Sequence, residues 1–202
     1  MAGKMEKKNL IIVIVVAVSV LAFGALALLS GGKGGVLGTP TLTVETPQKC
    51  SAGEEVTLDV TIDHMGEALY PAASMSIRFD PACLEFLAVE EGNVFILDGE
   101  NTSGRQLPQW SCNTAACNES GLINIMYLDM TGGRYAFSRQ LLAEEDNVVL
   151  RLTFRVRGSV RTGDVLDLIV EDAVFAASEE KDSLAMTRNT LRVRNSRIVI
   201  GE

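Results

Sequence analysis

The chain has 202 residues, a formal net charge of −8, a pI near 4.8 and only 5% aromatic residues. That length suffices for one hydrophobic core and is too short for two large domains. Nucleic-acid binding needs a basic face, so the acidic balance excludes it as a leading function.

The N-terminus reads as a separate object. Leu10 to Leu29 is almost wholly apolar, interrupted only mildly by Ser19 and Gly24. About 20 such residues are what a bilayer core requires. Lys4, Lys7 and Lys8 precede the run, and positive flanks hold residues 1–9 in the cytoplasm, which predicts export of the rest. Ala25-Leu-Ala27 offers a cleavage site for the rival reading, a signal peptide. The apolar regions of signal peptides usually run about 7–15 residues, so the length favours an uncleaved single-pass anchor at 10–30. Residues 31–40 follow as a linker, glycine-rich through Gly35 and flexible by composition. The expected body is 41–202, displayed outside the cell, or secreted if the N-terminal segment is cleaved.

Thr41 to Glu45 alternates as a short strand, and Thr46 to Gly53 is a turn. Val56, Leu58, Val60 and Ile62 alternate with polar residues over Glu55–Asp63, the pattern of a half-buried strand. Met75, Ile77 and Phe79 alternate in the same way over Ser74–Phe79, and Asp80-Pro81 stops that strand, since proline has no N–H for a ladder. Leu84 to Glu90 starts another. Asn93 to Ser120 is long and polar and is expected to hold one irregular strand. Gly121–Asp129 and Val149–Arg157 are strands, and Val165 to Ala176 is one bent strand or two joined at Glu171-Asp172. Arg134 to Asp146 and Ser178 to Asn189 are expected to hold short helical turns. Leu191 to Ile200 closes the chain as a strand bent at Asn195-Ser196. About nine short strands without a long helix indicate an all-β sandwich.

Cys50, Cys83, Cys112 and Cys117 all lie in the presumed exported body, where an even count predicts disulfides. Proximity within a polar stretch favours Cys112–Cys117, which leaves Cys50–Cys83. The latter two fall at one end if the strand Glu55–Asp63 pairs antiparallel with Ser74–Phe79. A Cys-x4-Cys spacing with a single histidine is a poor zinc site, so no metal is expected in this chain.

The ordered set of features resembles a cohesin module, the receptor half of the cohesin–dockerin pair that assembles cellulosomes. It comprises Val56-Thr-Leu-Asp-Val60, Arg78-Phe-Asp-Pro81 with Leu84-Glu-Phe86, and Gly121 to Asp129 with Thr131-Gly132 behind it. Val149 to Val156, Glu171 to Ala176 and Asn195 to Ile200 complete it. The resemblance covers about residues 40–202; the four cysteines and the 93–120 stretch depart from it. It implies a nine-stranded jelly-roll sandwich without catalytic residues or a cofactor of its own. It also implies a dockerin-bearing partner, in which calcium organises the helices. The family's docking face is the sheet of its third, fifth, sixth and eighth strands. Carried over, the outward positions are Ala72, Ser74, Ser76 and Arg78 on the third strand. On the sixth they are Asn124, Met126 and Leu128, with Asp129 at its end.

The residues support that face in their own right. Over Leu122–Leu128 both faces are rich in apolar residues, whereas a solvated strand would alternate. One face is therefore a binding surface, or is covered by the Asn93–Ser120 stretch. An enzyme is not expected: a serine–histidine triad would depend on His64, a loop residue, and the acidic pairs such as Glu54-Glu55 read as solvating. The alternative function is a carbohydrate-binding module of the same architecture. Trp110, Tyr70 and Tyr135 would then be its sugar platform on polysaccharide. Asn101 and Asn118 sit in glycosylation sequons, compatible with export.

Overall fold

The computed structural model describes residues 38–47, 49–66, 68–92, 110–130, 135–138, 147–178 and 185–201. The anchor expected at 10–30, most of the linker (31–37) and the sequon at Asn101 lie outside the described residues. So do residues 93–109 of the stretch expected to hold an irregular strand, and most of the two helical turns expected after 134 and 178. The described part of that stretch, 110–120, holds a single bridge at Ser111 and a helix. Among the described residues no helix is long and apolar enough to cross a membrane.

Among the described residues nine strands form two sheets. They are β1 (Thr41–Val44), β2 (Glu55–Asp63), β3 (Ala72–Arg78), β4 (Leu84–Glu91), β5 (Leu122–Leu128), β6 (Val148–Val156), β7 (Val165–Ala176), β8 (Arg192–Arg194) and β9 (Ser196–Val199). One helix, α1 (Thr114–Ser120), precedes β5. The first sheet runs β4-β6-β2-β1-β8 and the second β5-β3-β7-β9. All neighbouring strands are antiparallel except β1 and β8.

The alternation in each strand sends one set of side chains into the space between the sheets. Leu58, Val60 and Ile62 of β2, Met75 and Ile77 of β3 and Ile123, Ile125 and Tyr127 of β5 are all buried there. Each such side chain contributes about 1.5–3 kcal/mol relative to exposure. Aromatic rings tie the layers together. Phe154 of β6 lies 5.6 Å from Phe79 and 5.4 Å from Phe86. Phe137 lies 4.8 Å from Tyr127 and 5.5 Å from Phe175.

The Asp80-Pro81 stop carries the chain from one sheet to the other. The Asp80 side chain accepts the Ala82 N–H at 2.9 Å and its carbonyl accepts the Leu84 N–H at 2.9 Å, closing the turn. Asn195 does the same between β8 and β9: its side chain accepts the Val170 N–H at 3.0 Å, and Ser196 is fully buried. The closing strand is thus two strands in different sheets, not one bent strand. β7 is a single strand, and its register slips by one residue at Glu171, a bulge.

Two expectations are corrected. β2 and β3 do not pair; each belongs to a different sheet, because alternation fixes which face is buried and not which strand lies beside it. Neither expected disulfide, Cys112–Cys117 nor Cys50–Cys83, is present, and all four cysteines are free thiols. Cys112 and Cys117 are nonetheless neighbours; burial first, then the Cys117 thiol, pushes the Cys112 pKa up. The Cys50 backbone forms an isolated parallel β-bridge with Ile200, while the Cys83 thiol donates to Asp80 at 3.4 Å.

Candidate docking face

The outer surface of the second sheet is built in rows across β5, β3 and β7. The β3 registers place Ala72 between Leu128 and Ala176, and Ser74 between Met126 and Val174. Ser76 lies between Asn124 and Asp172, and Arg78 between Leu122 and Ile169. The first two rows are apolar or small. The last two are polar along β3, where Ser76 donates to the Asn124 side-chain oxygen at 2.8 Å and Arg78 forms an ion pair with Glu171.

Seven of the eight expected contact residues therefore share this surface. Met126 is 57% exposed and Leu128 49%, unusual for large apolar side chains on the outer face of a sheet. The described part of the 93–120 stretch leaves them open. Its Ser111 exchanges backbone hydrogen bonds with Met126 at 2.8 and 3.3 Å, extending the edge of the sheet. Trp110 turns inward, 5.5 Å from Tyr127 and 6.0 Å from Phe137.

Asp129 is the exception. It is buried, and its carboxylate accepts the Tyr135 N–H at 3.3 Å, while its own N–H donates to the Pro71 carbonyl at 2.7 Å. It positions the 135–138 segment and ends the face instead of contributing to it. Met130, just beyond, is 82% exposed.

The β7 residues Ile169, Asp172, Val174 and Ala176 belong to the face and were not among the sequence-derived positions. The signal was present. Outward residues are odd-numbered up to Ile169 and even-numbered from Asp172, and the adjacent acidic pair marks the slip.

The opposite sheet presents a different outer surface. Arg155 bridges Glu55 at 2.6 Å and Glu85 at 3.2 Å, and Arg151 meets Asp59 at 3.1 Å. The Thr57 and Thr153 hydroxyls hydrogen-bond at 3.1 Å. These cross-strand pairs satisfy one another, as on a solvated face.

The other sequence-derived candidates are also placed. Trp110, Tyr70 and Tyr135 are all buried, so none forms a sugar platform. His64 is exposed at φ 53° and makes no hydrogen bond to a serine among the described residues. The Asn118 side chain is used internally: it accepts the Phe86 N–H at 2.8 Å and donates to the Phe86 and Thr114 carbonyls at 2.7 and 3.0 Å. With both amide hydrogens engaged, it is a poor glycan acceptor. Among the described residues no cluster of metal-ligating side chains occurs.

Solved structures share the fold at low identity. The third cohesin of ScaC from Acetivibrio cellulolyticus, in complex with the ScaB dockerin, aligns with a TM-score of 0.61 at 16% identity, over 81% of this chain and 99% of that one. The OlpA cohesin of Clostridium thermocellum, in a complex with a dockerin, gives the same four values. The sixth cohesin of scaffoldin B from Acetivibrio cellulolyticus, with a Cel5 dockerin variant, gives 0.59 at 18% over 81% and 99%. No curated protein matches the chain. The family model described as Cohesin domain matches residues 40–193, which is most of the chain, and the protein therefore belongs to the cohesin family.

Proposed function

We propose that this chain is a membrane-anchored receptor that docks a dockerin-bearing protein without covalent chemistry and holds it at the cell surface. The observation that carries the reading is the asymmetry of the two sheets. One outer face is closed by its own ion pairs, and the other leaves Met126 and Leu128 open beside small β3 residues. Small residues let a partner helix approach closely, while flanking large ones give it apolar contact. The partners named for the similar cohesins support a dockerin as occupant. Calcium belongs, on this reading, to the dockerin. The apolar run at 10–30 supplies the anchor.

Membranes from cells expressing the full chain should retain dockerin modules loaded with calcium, and chelator should release them. Absence of retention across a broad panel would contradict the receptor role. A shortened, dockerin-binding chain in the medium would replace the anchor with a cleaved signal.

A further inference from the structure

The docking face has a shape and a polarity that specify its occupant more narrowly. Along β3 the outward side chains are small: Ala72, Ser74 and Ser76. They are flanked by Leu128 and Met126 on β5 and by Val174 on β7. Two strands lying either side of a third are separated by about 9.6 Å, close to the diameter of a helix, about 10 Å. The result is a shallow trough running along β3.

The trough changes character at one row. Toward Ala72 it is apolar or small. At Ser76 it meets the β7 bulge, where Glu171 and Asp172 both face outward. Glu171 is taken by Arg78, and Asn124 by Ser76. Asp172 is exposed and has no hydrogen-bond or ion-pair partner among the described residues. Arg188 lines the same depression of about 300 Å³ as Asp172 without pairing with it. The bulge therefore delivers one unpaired carboxylate to the end of a groove of small and apolar side chains.

Row spacing sets the complementary pattern. Two residues along a strand advance about 6.8 Å, and four residues along a helix about 6.0 Å. A helix lying in the trough thus places successive i, i+4 side chains over successive rows.

Building on the dockerin-receptor reading above, we infer that Asp172 is a specificity-determining residue. It selects a partner helix with apolar side chains at i and i+4 and a lysine or arginine at i+8. The first two cover the Leu128 and Met126 rows, and the cation meets Asp172.

The test measures affinity of the full chain, in detergent, for its tightest dockerin from a calcium-loaded panel. Asp172→Asn is nearly isosteric and should weaken binding roughly threefold to tenfold, mainly through a slower, less salt-dependent association; Asp172→Lys should weaken it further. Changing the facing lysine or arginine of that dockerin to glutamate should restore binding to the Asp172→Lys chain. Unchanged affinity of both variants, with binding lost on Met126→Asp, would overturn the role of Asp172 and leave the docking face standing. Failure of the unaltered chain to bind any dockerin would overturn the receptor reading and this inference together.

Discussion

Asn118 shows how much one side chain carries here. β4 is the edge strand of its sheet, and its Phe86 backbone would otherwise present an unpaired N–H and C=O beside α1. The Asn118 amide supplies both partners, standing in for a neighbouring strand. Replacing it with alanine strands two partly buried backbone groups, which costs about 1–3 kcal/mol. Urea unfolding of Asn118→Ala should show an unfolding free energy lowered by that amount; an unchanged value would mean that water replaces the clamp. This use of Asn118 is not legible from its sequon. A sequence motif says nothing about whether a side chain is free, and the partner lies 32 positions away. Asp129 teaches the opposite lesson. Alternation already puts it on the inward side with Ile123, Ile125 and Tyr127, and there its carboxylate accepts the Tyr135 N–H.

Elements were more legible than their arrangement. β2, β5 and β6 match their expected bounds to within a residue at each end, because period-two alternation over seven or more residues has few other readings. Sheet membership was not legible, since β2 and β3 alternate equally well whether or not they are neighbours. α1 was missed altogether. Seven residues with one buried side chain, Cys117, give no helical periodicity to detect. Its ends are nevertheless written in the residues. The Asn113 side chain accepts the Ala116 N–H at 3.2 Å at the start, and Gly121 ends it in the left-handed region at φ 69°. A Cβ on Gly121 would lie 2.8 Å from the Phe79 carbonyl oxygen, and that residue's N–H donates to the Gly121 carbonyl at 2.9 Å. Gly121→Ala should therefore cost roughly 2–3 kcal/mol through both φ and contact. Denaturant titration checks this; a loss of a few tenths would show that the α1–β5 junction relaxes freely.

The described body of the molecule is a sandwich with one self-satisfied outer face and one that leaves large apolar side chains open. The resemblance pointed to that face; the strand pattern at Met126 and Leu128 alone left open whether it was a binding surface or lay under the 93–120 stretch. What the sequence left out was the β7 contribution, because a one-residue bulge exchanges inward for outward positions beyond it. On the receptor reading proposed above, a dockerin sits on the face of β5, β3 and β7. The most direct measurement is the dockerin affinity of Met126→Asp and Leu128→Asp in the full chain, beside Thr57→Asp on the opposite sheet as control. Each of the first two should weaken binding roughly thirtyfold or more, the loss expected at an interface hot spot, with thermal stability retained. The control should bind as the unaltered chain does. Unchanged affinity for both face variants, or a loss confined to Thr57→Asp, would contradict the account.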